Sequence, residues 1–238
     1  MKTLVFGVIY PGVENYLNDY FNSIHNQTTN DFDLLIIEDG IELPKRFLRD
    51  NTIVKIASNS TPAEIRESGI NYAKEKGYEL IVFTDTDDLY STDRVENSFE
   101  KINDNSFLAN SLISVDKEGN ELNSIEIPSD IGFMQILRGN HFGLSNTAFN
   151  LKYLPKNFYI PKDIIAVDWW LFSLLLLYGN KYLVDYDSIT FYRQHSGNTA
   201  GFSKVITLDK INFGVEIKLK HYTYLLQYML RENLHKHT

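Results

Sequence analysis

The chain has 238 residues, 43% hydrophobic, 23% charged and 13% aromatic, which suits one large globular domain with a sizeable core and excludes a disordered chain. A formal net charge of −8 with no long basic tract argues against a general nucleic-acid binder, so an anionic ligand needs local help from a metal, an arginine or a helix N-terminus. With no cysteine there is no disulfide, no cysteine-ligated zinc and no thiol catalysis, which fits a cytoplasmic location.

Residues 3–9 are a nearly continuous apolar run, the pattern of a strand covered on both faces. Lys2 and this run resemble a short signal-peptide core, but Pro11-Gly12-Val13-Glu14 stands where a small-residue cleavage site belongs, so the run reads as a first strand. Tyr16, Leu17, Tyr20, Phe21 and Ile24 then recur at helical spacing. Residues 32–38 repeat the strand pattern and end at Glu38-Asp39-Gly40, and residues 53–57 form a third strand. Thr61 to Glu64 has the reciprocal pattern of a helix N-cap with Pro62 at the first helical position, followed by an inward stripe of Ile65, Ser68, Gly69, Tyr72 and Ala73.

A fourth strand, Leu80-Ile81-Val82-Phe83, runs into Thr84-Asp85-Thr86-Asp87-Asp88. Four strands separated by helices or short crossovers predict a parallel, doubly wound sheet over roughly the first hundred residues. Three carboxylates at a buried strand's C-terminal end cannot all go unpaired. Ligands bind at such strand ends in open α/β sheets, and oxygen-rich acids suit Mg²⁺ or Mn²⁺, so the motif predicts a metal-assisted phosphate or diphosphate site.

Past Ser91, an N-cap, a helix over residues 92–102 turns Val95, Phe99 and Ile102 inward. Residues 106–115 and 121–127 flank Asp116-Lys117-Glu118-Gly119-Asn120, a hairpin signal, so antiparallel strands follow the parallel ones. A short helix over 129–137, a strand over 140–149, a buried helix over 167–178 and a strand over 181–192 come next. The longest apolar run, 164–178, is interrupted by Asp168 and is shorter than the ~20 residues of a membrane span. Residues 208–234 are a long helix of mixed aromatic and basic character. Its Lys218, Lys220 and Arg231 leave three outcomes open: packing on its own domain, contact with an acidic membrane as a peripheral helix, or pairing into a homodimer.

Asp-x-Asp after a strand also occurs in phosphatases of the haloacid dehalogenase type, but there it follows the first strand and is followed by Thr or Val, where this chain has Asp88-Leu89 on the fourth. The segments instead resemble family 2 glycosyltransferases of the GT-A fold. The likeness lies in Tyr16-Leu17 through Ser23-Ile24 and Gln27, in Leu35 to Gly40, in Ile65-Arg66-Glu67-Ser68-Gly69-Ile70, in Asp85-Thr86-Asp87-Asp88, in Ala166-Val167-Asp168-Trp169-Trp170 and in Tyr192-Arg193-Gln194-His195, in that order. It departs where Ile41-Glu42-Leu43-Pro44 follow Asp39-Gly40, where Tyr10-Pro11-Gly12-Val13 replaces a loop with Asn, and where Val167 holds a place often taken by Glu.

The resemblance implies a GT-A type α/β fold: a single catalytic domain over residues 1–205, with a nucleotide-sugar half (1–103) and an acceptor-side half (104–205), then a C-terminal helix and tail (206–238). It implies an inverting, metal-dependent glycosyltransferase of surface or extracellular glycan synthesis, using Mn²⁺ or Mg²⁺, a nucleotide-sugar donor with a UDP-sugar first in line, and a glycan or lipid-linked acceptor. Residue by residue, Asp39 would contact the base, Arg66 the base or phosphates, Asp85 the ribose or sugar, and Asp87 the metal. Asp168 would be the catalytic base, and Arg193 and His195 would close over the diphosphate or metal.

Independent readings of these residues stay open. Asp168 could merely cap its helix; His195 with Arg193 and Ser196-Gly197-Asn198 suggests an anion-facing loop; Asp88 holds the loop. Trp169 and Trp170 could stack on a sugar or fill the core. His141 is an acceptor-side candidate. The rival functions are a sugar-nucleotide or glycan-binding module without catalysis, and a sugar nucleotidyltransferase, for which no glycine-rich triphosphate loop stands near the N-terminus.

Overall fold

The computed structural model describes residues 1–195 and 207–234. Its parallel part comprises β1 (Thr3–Ile9), β2 (Asp33–Glu38), β3 (Thr52–Ile56) and β4 (Leu80–Phe83), in the order β3-β2-β1-β4. All seven β1 residues are buried. Side chains alternate across a strand, so Leu4, Phe6 and Val8 enter one core while Val5 and Ile9 enter the other. β3 is the edge, and its Ile56 is 79% exposed, so the apolar run there is covered less than expected.

Helix α1 (Leu17–His25) lays Leu17, Tyr20, Phe21 and Ile24 on the Val5 side. Helix α2 (Pro62–Glu75) covers the other face and begins with the predicted reciprocal cap, Glu64 N donating to Thr61 Oγ1 and Thr61 N to Glu64 Oε2. Its inward face corrects the predicted stripe: Ala63, Ile65, Gly69, Ile70 and Ala73 are buried, whereas Ser68 is exposed and Tyr72 half-buried. The face is rotated because α2 touches a later helix as well as the sheet.

Beyond β4 the chain adds β5 (Leu89–Tyr90), α3 (Arg94–Lys101), β6 (Phe107–Val115), β7 (Glu121–Ile125), α4 (Phe133–Ile136), β8 (Thr147–Asn150), α5 (Val167–Leu177), β9 (Tyr182–Arg193) and α6 (Leu208–Arg231). Among the described residues these strands extend the same sheet to nine, in the order β3-β2-β1-β4-β8-β6-β9-β5 with β7 on β6. The β6–β7 hairpin forms, and β8 is antiparallel to β4 and β6. β9, however, runs parallel to β6, so the second half is mixed rather than antiparallel. The strand expected from residue 140 starts only at Thr147, because the polar side chains ahead of it bond elsewhere: Asn146 donates to Asn110 O, and Ser145 to Asp88. Ser91 Oγ donates to Asp93 Oδ1 instead of capping α3, which starts at Arg94.

Helix α5 is buried from Val167 to Leu176 except at Asp168. Trp169 and Trp170 each donate from the indole N–H to a backbone carbonyl, Ile136 O at 2.7 Å and Tyr159 O at 2.8 Å. Helix α6 docks on α5 through His221, Leu225 and Tyr228, the His221 ring stacked 3.8 Å from Trp169 and its pKa lowered to about 4 by burial. No helix among the described residues is long and apolar enough to cross a membrane.

Gly69 sits where α2 meets the sheet, and a Cβ there would fall 2.3 Å from the ring of buried Phe6. Gly69→Ala is expected to destabilise the fold by about 1–3 kcal/mol through this overpacking, read as a lower urea midpoint at unchanged m-value.

Candidate active site

Because β1, β2 and β4 are parallel, their C-terminal ends form one rim that carries Tyr10, Asp39 and Asp85 to Asp88. The acidic turn is stitched to β1: Thr84 Oγ1 donates to Phe6 O at 3.0 Å and Thr86 Oγ1 to Val8 O at 2.7 Å. Tyr90 hydroxyl accepts from Asp85 N at 2.8 Å and lies 3.1 Å from Ser145 Oγ. Asp39 is half-buried and donates its N–H to Ile9 O; Glu38 Oε1 accepts from Leu43 N at 2.7 Å and thereby shapes the loop after Asp39, where Gly40 takes φ +82°.

The three carboxylates have three environments. Asp88 is fully buried, accepting from Ser145 Oγ and, at 2.8 Å, from Arg193 N; burial foremost, then the charges of Asp87 and Asp85, push its carboxyl well above the usual range. Asp85 accepts from Arg66 Nη2 at 2.7 Å, and burial raises its pKa against the opposing guanidinium. Asp87 Oδ2 lies 2.8 Å from His195 Nε2 and accepts from the Tyr10 hydroxyl at 3.3 Å. Burial and then the Asp87 charge raise the Tyr10 pKa, so its hydroxyl stays protonated and donates.

The cations come from three elements. Arg66, on α2, leans on the Phe6 ring and keeps one buried nitrogen, Nη1, without a partner, a donor aimed beside Asp85. Arg94, on α3, is 1% exposed beneath the turn; it donates to Phe83 O at 2.7 Å and Asn110 Oδ1 at 3.0 Å and lies over the Tyr90 ring. Arg193 corrects its assignment as a donor ligand: its guanidinium is buried and donates to Asp87 O, Lys117 O and Asp19 Oδ2, so it braces the turn from within.

Asp168 opens α5, partly exposed, with Trp169 N donating to Oδ1 at 2.8 Å. Burial raises its pKa to about 6; the Trp169 N–H and the Asn140 side chain oppose that rise, and the Asp85 charge adds to it. His141 is exposed on the loop next to Asn140. Trp169 is corrected as a sugar platform: it is 2% exposed, stacked on His221 and hydrogen-bonded to Ile136 O, a core residue. Ser196-Gly197-Asn198 lie outside the described residues. No local pattern marks Tyr10, Asn140 or Ser145 as a site residue. Arg94 was missed too, although three neighbouring acids called for a nearby counter-charge.

Among the described residues no three acids or histidines converge as a ready metal cage. Asp87 Oδ2 and His195 Nε2, 2.8 Å apart, nevertheless match adjacent ligands of an octahedral ion held at roughly 2.0–2.1 Å from each, the kind of ion that takes its remaining ligands from water and phosphate. A cavity of about 340 Å³ opens elsewhere, between Leu112, Ile125, Val184 and Tyr186, and none of the predicted site residues lines it.

Arg94→Leu is expected to cost about 1–3 kcal/mol, because the change leaves the buried Phe83 O and Asn110 Oδ1 without their donor. Urea denaturation measures the loss, and Arg94→Lys should recover only part of it, lacking the planar fork.

The comparisons with known proteins agree with this geometry. Residues 8–153 match the family described as Glycosyl transferase family 2. An uncharacterized glycosyltransferase of Haemophilus influenzae is 28% identical over 159 residues, 60% of each chain, and one of Rickettsia bellii is 28% identical over 160 residues, 63% of this chain and 23% of that one. The chain therefore spans less than two thirds of either relative. Among solved structures, S. aureus TarS 1-349 in complex with UDP-GlcNAc superposes with a TM-score of 0.67 at 18% identity, covering 86% of this chain and 62% of that one. The mannosyltransferase PcManGT from Pyrobaculum calidifontis in complex with GDP-Man and Mn²⁺ gives 0.57 at 12% identity, over 83% and 58%. The fold is of the GT-A type, and the chain belongs to glycosyl transferase family 2.

Proposed function

We propose that this chain is an inverting, metal-dependent glycosyltransferase, moving a sugar from a nucleoside diphosphate donor, a UDP-sugar first, to a hydroxyl of a glycan or lipid-linked acceptor. The observation that carries the reading is a carboxylate of raised pKa, Asp168, that feels the charge of Asp85, two residues from the Asp87–His195 pair. Asp39 would meet the base and Asp85 a donor hydroxyl, while the unpartnered Arg66 Nη1 is free to donate to a phosphate oxygen. Asp87 and His195 would hold Mn²⁺ or Mg²⁺, which when bound supplies Lewis-acid neutralisation of a leaving diphosphate. The relatives that hold UDP, UDP-GlcNAc and GDP-Man with Mn²⁺ support a nucleotide-sugar donor.

Asp168 takes the proton from the acceptor hydroxyl as it attacks the anomeric carbon. A base with pKa about 6 is ionised at neutral pH yet basic enough to accept that proton. The helix N-terminal amide of Trp169 and the Asn140 side chain together orient the carboxylate toward the acceptor. His141, on the loop that touches Asp168 through Asn140, stands on the acceptor side.

Two outcomes test this. Asp168→Asn should lower sugar transfer by about 10²- to 10⁴-fold while nucleotide binding, measured calorimetrically, survives. Since the carboxylate is the working form, wild-type kcat/KM should fall tenfold per pH unit below about 6 and lose that limb in the variant. Chelation by EDTA should abolish turnover and Mn²⁺ restore it, with Asp87→Asn needing far more Mn²⁺ for half-activation. Binding of nucleotide sugars without turnover of any, with or without Mn²⁺, would instead make the chain a binding module.

A further inference from the structure

Helix α6 carries two apolar faces, and only one of them is covered. His221, Leu225 and Tyr228 dock on α5, whereas Leu208, Ile211, Val215, Leu219, Leu226 and Leu230 are each between 49% and 77% exposed. With Tyr222 between the fourth and fifth, its hydroxyl reaching back to Leu137 O, these positions recur at spacings of three, four and four residues, twice over. At 100° per residue they fall within a sector roughly 100° wide, running the length of the helix and centred about 125° round it from the docked face. An eleven-residue period of this kind keeps a stripe on one side of a nearly straight helix and favours a slight right-handed crossing with a like partner.

The flanks of the stripe differ in charge. Glu216 borders it on one side and Lys218 on the other, both exposed. A helix that lies on a membrane wants basic residues along its polar border, and here one border is acidic within a chain of net charge −8, so an anionic bilayer is a poor occupant. A second copy of the same helix, packed parallel about a two-fold axis, is a good one. Each aliphatic stripe residue then meets its own equivalent, and Glu216, which pairs with Lys220 of its own helix at 3.0 Å, turns to Lys218 of the other copy. Antiparallel packing would set like flank against like flank. The stripe offers on the order of 700 Å² per copy, close to the roughly 800 Å² per partner of a standard interface.

We propose that α6 is a homodimerisation helix, pairing in parallel with α6 of a second copy through the stripe from Leu208 to Leu230. Sedimentation velocity on the full chain, from about 1 to 100 µM, should show a dimer with a micromolar dissociation constant. Leu219→Glu with Leu226→Glu should give a monomer whose circular dichroism and thermal midpoint match wild type, since neither side chain faces the body. Glu216→Lys alone should weaken the dimer at least tenfold, and Glu216→Lys with Lys218→Glu should restore it. A wild-type monomer across the whole range overturns the proposal. So does a dimer indifferent to the leucine substitutions, or to the charge reversal. Flotation of a wild-type monomer with vesicles of anionic phospholipid overturns it in favour of a lipid surface.

Discussion

Three carboxylates within four residues at the end of β4 are the constraint around which this fold is assembled. Water cannot dissolve their repulsion, because Asp88 is fully buried and Asp87 nearly so. The protein answers with Arg66 from α2, Arg94 from α3 and the backbone and guanidinium of Arg193 from β9. Each comes from a different element, so the charge balance also fixes how α2, α3 and β9 sit around the parallel strands. Buried charges tolerate little displacement of their partners. That intolerance makes the rim a rigid platform.

Asp168 is placed by a different kind of force. Helix α5 is held by aromatic packing and by indole N–H bonds to Ile136 and Tyr159 carbonyls, with hardly any charge in its surroundings. One acid at the mouth of an apolar helix is therefore expensive to ionise, and its pKa rises to about 6. The platform and the base are thus tuned separately: hydrogen bonds and paired cations order the rim, and apolar burial sets the base.

Much of this was legible in the sequence, for identifiable reasons. Parallel strands buried on both faces announce themselves as unbroken apolar runs, and the Thr61–Glu64 cap is a local pattern, so both needed no knowledge of tertiary contacts. The acids after β4 were legible as a cluster that demands positive charge. Which positive charge was not. Arg94 lies next to Val95 on an inward face that periodicity assigned to apolar residues alone, and Arg193 looks like a ligand-facing arginine until its acceptors, Asp87 O, Lys117 O and Asp19, are seen to come from three distant segments. For Trp169 the sequence left sugar platform and core both open, and the surroundings that decide for the core include His221, which arrives from more than fifty residues away. The direction of β9 depends on pairing with β6, and no local pattern encodes it.

Arg193 has one more effect, on kinetics. Being rooted in the core, it fixes the start of the stretch that carries His195 to within a two-residue span, about 7 Å of chain. His195 is consequently tethered beside Asp87, and its ring, backed by Tyr16, can leave the carboxylate and return without a diffusive search. Such a tether raises the local concentration of the imidazole to the millimolar range or above. Exchange at the Asp87 oxygen is then a competition between an incoming ligand and a tethered imidazole that stays within reach. The core bonds of a single arginine thereby set how readily that position opens.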